Sequence, residues 1–337
     1  GVSGANTLCQ DSKGVVAIAR TDGEITEEDV ARAVEAAKTI ASPLNYEILH
    51  VLPRSYAVDG QIGVKDPVGM TGIRLEVDAK IIYGLTAHIK NLTKTIYRTG
   101  VDIDAFVLSV IASGDVNIGS KQKELGTVIV NIGCSTTSLV LYEEGYIIHM
   151  ALLPIVSAHI TNDIAIGLRC GIETAEKVKL LYGHADPSEI SKEEEIDLSK
   201  LDKTEDHTAS RQYVVEIIEA RLEEIFRMVV SELKKIQRDG KLPAGTVLTG
   251  GGSKMPGMVE FVKKNLRLPT VLCKPQNVSP VIDRVDDPSF ATAVGLVLWG
   301  GKFSAKNSAV ELGGMVKNIM SNEGVAKLRK WFKSFLP

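Results

Sequence analysis

The strongest constraint on this chain is a pair of glycine-bearing loops, each fed by a β-rich apolar run. The first is Val128-Ile129-Val130-Asn131-Ile132-Gly133-Cys134-Ser135-Thr136-Thr137-Ser138-Leu139-Val140-Leu141. The second is Thr246-Val247-Leu248-Thr249-Gly250-Gly251-Gly252-Ser253, followed by Lys254-Met255-Pro256-Gly257. Where an apolar strand ends at glycine, bare backbone N–H groups approach an anion closely. Two such loops facing one another would hold a nucleotide between two domains. Each loop alone also has a plainer reading: a hairpin with a polar tip, and a tight strand-to-helix turn.

Bulk properties set the outer limits. A chain of 337 residues, 44% apolar and 24% charged, has room for two or more cores. A net charge of −3 makes it a poor electrostatic trap for nucleic acid, so no nucleic-acid partner is expected. No apolar run approaches the ~18 residues of a membrane span, and no secretory leader is visible. Cys9, Cys134, Cys170 and Cys273 lie far apart without a C-x-x-C pattern. Neither a metal site nor a disulfide framework is expected, and a reducing cytoplasm fits. Cys134 reads as a small filler in its loop, and the six histidines show no metal-ligand spacing.

Periodicity places the elements. Val15–Ala19 reads as a short buried strand, and Thr26-Glu27-Glu28-Asp29 opens a helix through Ile40 with a capping-box pattern. Strands are predicted at Tyr46–Leu52 and Tyr56–Val58 around Pro53, and at Ile73–Val77, with a shorter apolar patch at Ile81–Tyr83. A helix over Ala87–Thr99 closes a compact α/β block at 22–100. Phe106–Val110 is predicted as a strand, and a three-strand antiparallel meander turns at Cys134–Thr137 and Glu143–Gly145 and ends with Tyr146–Leu153. Helices are predicted at Ile160–Leu168, Thr174–Tyr182, Gln212–Arg238, 256–265 and Ser289–Trp299, with a strand at 246–249. The acidic stretch Pro187–His207 reads as a surface loop.

Three further groups carry chemistry or a partner. At the first loop, Gly133, Ser135, Thr136 and Thr137 offer amides and hydroxyls for phosphate; at the second, Gly250, Gly251 and Gly252 stand beside a helix start. Glu176 and Lys179 share a helix face, either to bracket a nucleoside or as a surface ion pair. Arg221 and Glu224 read as a solvated face. After a Gly/Ser/Asn/Lys-rich linker, Val325, Leu328, Trp331, Phe332, Phe335 and Leu336 fall on one helical face, opposite Lys327, Arg329, Lys330 and Lys333. That pattern fits an interfacial helix on an anionic membrane, where each basic residue adds ~1 kcal/mol. Packing of the same helix on the protein body is the alternative.

Taken together, the motifs resemble those of the FtsA family, the actin-like bacterial cell-division proteins. The likeness covers essentially the whole chain. It rests on Glu24-Ile25-Thr26-Glu27-Glu28-Asp29-Val30, Ile48-Leu49-His50-Val51-Leu52-Pro53, and Asp66-Pro67-Val68-Gly69-Met70 with Gly72. It continues through Val130-Asn131-Ile132-Gly133, Ile160-Thr161-Asn162-Asp163-Ile164-Ala165, Ala175-Glu176-Lys177-Val178-Lys179, the triple glycine, and Asp287-Pro288-Ser289-Phe290-Ala291-Thr292-Ala293-Val294-Gly295-Leu296.

The resemblance implies an α/β fold of the actin/Hsp70 ATPase type, with an extra small domain and a C-terminal amphipathic helix. Subdomain 1A is expected at 1–21 and 101–126, rejoined by 285–300, and subdomain 1C at 22–100. Subdomain 2A is expected at 127–163 and 245–284, 2B at 164–244, a linker at 301–323 and the membrane helix at 324–337. ATP with Mg²⁺ would lie between the halves. Gly133, Ser135, Thr136 and Thr137 would form the second phosphate loop, Gly250, Gly251 and Gly252 the adenosine loop, and Glu176 and Lys179 would face the nucleoside. The partners implied are the C-terminal peptide of FtsZ on 2B, further copies in a filament, other division proteins on 1C, and the cytoplasmic face of the inner membrane at the septum.

Three departures stand out. The family's first phosphate hairpin, Asp-x-Gly-[Ser/Thr], is expected upstream of Gly1-Val2-Ser3-Gly4. Asn131 stands where many superfamily relatives carry Asp, and an amide cannot serve as a carboxylate base, so slow or absent hydrolysis is expected. Val156-Ser157-Ala158 replaces a more glycine-rich stretch. The alternatives are an actin-like adaptor of pilus or other envelope assembly, and an Hsp70-like ATPase.

Overall fold

The computed structural model describes residues 1–4, 6–39, 43–273 and 286–301. The amphipathic tail and all but the first residue of its linker lie outside them.

The small N-terminal unit is an antiparallel sheet with a helix on one face. Its strands are β1 (Thr7–Ala17), β2 (Tyr46–Val58), β3 (Gln61–Val64) and β4 (Arg74–Leu85), in the order β1-β4-β2-β3. Helix α1 (Glu27–Ala37) packs Ala33 and Ala37 onto the sheet. It comes so close to β1 that a Cβ on Gly14 would lie 2.0 Å from the Ala33 carbonyl oxygen. A reciprocal cap starts the helix: Asp29 N–H donates to Thr26 Oγ1 at 3.3 Å, and Thr26 N–H donates to the Asp29 carboxylate at 2.9 Å. Bonds from the Thr26 hydroxyl and N–H, with Arg32 beyond them, hold the Asp29 carboxyl down to about 2.

Helices α2 (Thr86–Tyr97), α3 (Ser109–Asn117) and α4 (Ser120–Leu125) lead into a second sheet. Its strands are β5 (Thr127–Ile132), β6 (Thr137–Glu143), β7 (Tyr146–Leu153), β10 (Thr246–Thr249) and β11 (Thr270–Leu272), in the order β11-β10-β5-β6-β7. β11, β10 and β5 are parallel; β6 and β7 turn back antiparallel. Both faces are buried, which explains the nearly unbroken apolar runs. Val128, Val130, Ile132 and Leu248 face a core shared with α5 (Ser157–Leu168), α6 (Ile172–Tyr182), α7 (Arg211–Lys235) and α8 (Met258–Leu266). Ile129, Val140 and Val247 face the other way, toward α3 and a helix over 291–301, α9. Glu144 and Gly145, both at positive φ, make the tight turn between β6 and β7.

The structure corrects several sequence expectations. β2 runs unbroken through Pro53: the proline lies opposite Ala79 of β4 beside a register shift, and pairing with β3 on the other side begins only at Tyr56. β4 is one strand, with the patch at 81–83 as its second half. Phe106–Val110 is not a strand: it holds a single bridge, Val2 to Leu108, before α3 starts at Ser109. Its apolar run leads into a helix packed on the sheet rather than forming a strand within it, an ambiguity that short apolar runs carry. The stretch 187–207 contains β8 (Glu195–Asp197), which pairs with β9 (Thr208–Ser210) and buries Ile196 and Leu198. Residues 7–17, expected with subdomain 1A, pair along their full length with β4 of the small unit. Helix α5 runs unbroken across the expected 163/164 boundary.

Two outcomes are expected. A Cβ on Gly295 would lie 2.1 Å from the Ala112 carbonyl oxygen, where α9 crosses α3. Gly295→Ala should therefore lower unfolding stability by about 2 kcal/mol in urea titration; an unchanged midpoint would refute the close crossing. A carboxyl that ionises more readily in the folded chain stabilises it only while ionised. The Asp29 contribution is thus complete above about pH 4, the ordinary carboxylate range, and is lost as pH falls toward about 2. Asp29→Asn should cost about 1 kcal/mol at neutral pH and flatten that acid limb.

Candidate functional site

The two glycine loops leave the carboxyl ends of neighbouring parallel strands. Register pairing sets Thr249 of β10 opposite Asn131 of β5, so both chains turn at the same edge of the sheet. In open α/β sheets that edge is where ligands lie. The loops also touch. A Cβ on Gly250, whose φ is +86°, would lie 2.4 Å from Asn131 Oδ1 and 2.5 Å from the Ile132 carbonyl oxygen. One on Gly252 would lie 2.6 Å from Ile132 Cγ2. Glycine is required at 250 for both reasons.

The β5–β6 hairpin tip is closed by Gly133 N–H donating to the Thr136 carbonyl at 2.8 Å. Cys134 and Ser135 are exposed, and Gly133 and Thr136 half-buried. The N–H groups of Cys134, Ser135 and Thr136 donate to no backbone carbonyl among the described residues. Thr137 differs from its neighbours: it is buried, and its Oγ1 has no hydrogen-bond partner among them. The start of α5 fixes the tip from behind, with Ser157 N–H donating to the Gly133 carbonyl at 3.1 Å and Ala158 N–H to that of Cys134 at 3.3 Å.

Beside the tip, α5 and α6 border an open hollow of about 400 Å³ lined by Ala158, Thr161, Asn162, Ile172, Glu173 and Glu176. Glu176 and Lys179 meet on its wall with Nζ to Oε2 at 2.6 Å, and Lys179 also donates to Thr161 Oγ1 at 2.8 Å. This is no loose surface pair, because only 9% of the Lys179 side chain is exposed. Partial burial pushes the Glu176 carboxyl up. Bonds from Lys179 and Thr161, with the lysine charge, more than offset it and leave the group below its ordinary value. The pair thus presents a charged carboxylate, 44% exposed, into the hollow.

The triple-glycine loop is tied down at its far side. Pro288 carbonyl oxygen accepts from Gly250 N–H and from Thr249 Oγ1, both at 3.1 Å. Lys254 reaches Asp287 at 2.6 Å, and this ammonium, with the Ser289 N–H, holds the Asp287 carboxyl down to about 2. The loop's end also meets the segment that follows α6, where Ala185 N–H donates to the Pro256 carbonyl at 2.8 Å.

The two glycine loops therefore meet at one sheet edge, with Thr137 set back in the core, while Glu176 and Lys179 stand on α6 against Thr161 of α5. Sequence reasoning missed Thr161, whose polar side chain at the edge of the Ile160–Ile164 apolar stripe was the available signal. It also misjudged Arg221. Rather than standing in solvent, Arg221 makes a bidentate bridge from α7 to Asp163 of α5, at 2.6 and 2.9 Å, besides its bond to Glu224. Two helices that pack together bring partners from distant sequence positions to face it.

Known proteins match this chain along most of its length. The family model for cell division protein FtsA matches residues 128–295, and the model for the SHS2 domain inserted in FtsA matches residues 4–83, which includes β1. The chain is 33% identical over 335 residues to cell division protein FtsA of Pseudomonas aeruginosa, covering 98% of this chain and 79% of that one. Against FtsA of Neisseria meningitidis the identity is 35%, covering 99% and 80%. Among solved structures, the PilM-PilN type IV pilus biogenesis complex superposes with TM-score 0.62 at 17% identity, over 88% of this chain and 77% of that one. MreB5 of Spiroplasma citri bound to ADP superposes with TM-score 0.51 at 17% identity, over 66% and 67%. With an actin-like fold, an SHS2 unit in its N-terminal part and a third of its residues shared with these relatives, the chain belongs to the FtsA family of cell division proteins.

Proposed function

We propose that this chain is a cell-division adaptor that binds ATP at the paired glycine loops, assembles in actin-like fashion and ties FtsZ to the inner membrane. The observation that carries the nucleotide reading is the seating of Gly250 against Asn131 and Ile132. It brings two amide-rich loops within reach of one ligand. In this reading Gly133, Ser135 and Thr136 face the terminal phosphates, and Thr137 supports the tip from the core. Gly250, Gly251 and Gly252 face the sugar and α-phosphate side, and Glu176 and Lys179 line the nucleoside end.

The site fits that group. Cβ atoms on Gly133, Gly250 and Gly252 would strike neighbouring loop atoms, and the hairpin N–H groups are open to an anion. Among the described residues no three His, Cys, Asp or Glu side chains gather to hold a metal. Mg²⁺ in this proposal arrives on the phosphates. The Asn131 amide at the end of β5 offers no carboxylate base, so turnover is proposed to be slow. The FtsZ peptide is assigned to the helical unit of α5–α7, other division proteins to the SHS2 unit, and membrane attachment to the tail from Val325 to Leu336. Likeness to the PilM-PilN structure keeps a pilus-type adaptor as the second reading. Retention of the chain on an FtsZ C-terminal peptide column favours the first, and fast client-stimulated phosphate release would point instead to an Hsp70-like enzyme.

Two measurements test the core of the proposal. Gly250→Ala should weaken binding of a fluorescent ATP analogue by about 100-fold, and Lys179→Ala by about 10-fold, the loss of a single charged contact. Equal affinity in wild type and Gly250→Ala would sink the nucleotide assignment. Trp331→Glu with Phe332→Glu should release the protein from anionic liposomes, and unchanged co-sedimentation would count against the anchor.

A further inference from the structure

Strand β1 is an edge. It is 11 residues long, pairs with β4 on one side, and has no strand on the other among the described residues. Helix α1 covers the Ala33–Ala37 face of the sheet and leaves this edge open. A long open edge is a template for another strand, and proteins commonly cover or interrupt one. Here Leu8 and Val15 stand 38% and 46% exposed along it.

The side chains of β1 are self-complementary about one point. Consider two copies of β1 laid antiparallel with Ser12 opposite Ser12. Asp11 of each then stands opposite Lys13 of the other, Cys9 opposite Val15, Leu8 opposite Val16, and Gln10 opposite Gly14. Charge meets opposite charge, and apolar meets apolar, in every case on the same face. Moving the centre to Asp11 sets Asp11 against itself, and moving it to Lys13 sets Lys13 against itself, both unfavourable directly across a strand pair. Shifting by a single residue pairs helix-side with open-side positions and turns the second sheet over.

The neighbouring strand extends the pattern. Asp11 is already opposite Lys80 of β4, with Nζ to Oδ1 at 2.6 Å, and Lys13 is opposite Asp78 at 3.5 Å. The Lys80 side chain is 8% exposed while Asp11 is 74% exposed, so the carboxylate retains open valences toward the edge. In the paired form two rows of alternating charge cross four strands: Asp78, Lys13, then Asp11 and Lys80 of the second copy, and the reverse. At the far end Arg32 donates to the Ala17 carbonyl at 3.2 Å, which closes that end of the ladder and leaves 8–16 free to pair.

We propose that β1 pairs with β1 of a second copy of this chain, antiparallel and centred on Ser12, to form one eight-stranded sheet from two SHS2 units. The interface is two-fold and isologous, so it closes at two copies. It is separate from head-to-tail assembly and does not rest on the nucleotide assignment.

The native Cys9 makes the register testable. Residues opposite one another on antiparallel strands have Cα atoms about 4.5–5.5 Å apart, within the roughly 4.4–6.8 Å that a disulfide spans. Val15→Cys in the full-length chain, under mild oxidation without nucleotide or lipid, should give a covalent dimer on non-reducing gels. The dimer should vanish when Cys9→Ser is added, which separates it from any link through the exposed Cys134. Ala17→Cys, which matches Cys9 only in the Lys13-centred register, should not cross-link. Sedimentation of the reduced wild-type chain should show a dimer that Val15→Pro converts to monomer, since proline removes an edge donor. Failure of Val15→Cys to cross-link through Cys9, stronger linking by Ala17→Cys, or a monomer at every concentration would each overturn the proposal.

Discussion

The contact on which the rest of this molecule depends is the approach of Gly250 to the end of β5. Parallel pairing of β10 with β5 brings Thr249 level with Asn131, and the chain must then turn without striking Asn131 Oδ1 or the Ile132 carbonyl. Only a residue without Cβ, at positive φ, does so. That one turn fixes three things at once. It aligns the two loops, directs the chain into α8, and offers the Gly250 N–H to Pro288. Removing it would not merely disturb one loop. It would unseat the segment that rejoins the first half of the fold.

A second layer of constraint holds the helical wall. Helix α5 carries Ser157 and Ala158 at one end, bonded to the hairpin tip, and Thr161 one turn later, bonded to Lys179. Asp163 then ties it to Arg221 of α7 through a bidentate bridge. Half-buried charged pairs of this geometry gain little net stability over apolar packing, but they fix orientation. The apolar stripe of α7, from Val214 to Leu233, supplies the burial, and Arg221 sets the rotation of α5 on it. The hollow beside Glu176 keeps its shape for that reason.

How much of this was legible in the sequence follows from the range of the interactions. The β5–β6 hairpin, β10 and α7 were readable because each is written in local signals: apolar runs, a glycine stop, a steady three-to-four spacing. The capping box at Thr26 was readable because its two partners are three residues apart. The strand at 7–17 was legible only from Val15 onward, since its first half carries Gln10, Asp11, Ser12 and Lys13 and owes its strand state to Lys80 and Asp78 across the sheet. Residues 106–110 misled because an apolar run buried on both sides looks alike in a strand and in the approach to a helix. The same holds for Arg221: nothing on its own helix announces Asp163. Of the site, the loops were plain, while Thr161 and Asp287 became visible only once α5, α6 and the 286–301 segment were packed together.

The glycine loops and the SHS2 unit are joined by contacts with little slack. Pro288 carbonyl oxygen serves both Thr249 and Gly250, and the helix that follows lies on α3 with Gly295 against the Ala112 carbonyl. Near the C-terminal end of that helix Trp299 meets His50 of β2 edge to face, at 6.0 Å between ring centres. His50 Nε2 in turn accepts from Leu108 N–H at 3.0 Å, at the point where the chain enters α3. Burial pushes His50 below its ordinary value, which keeps the ring neutral and able to accept that bond. Close-packed contacts transmit displacement rather than absorb it. A shift of the triple-glycine loop must therefore be taken up along α9, and the SHS2 sheet is the next body against which that helix bears.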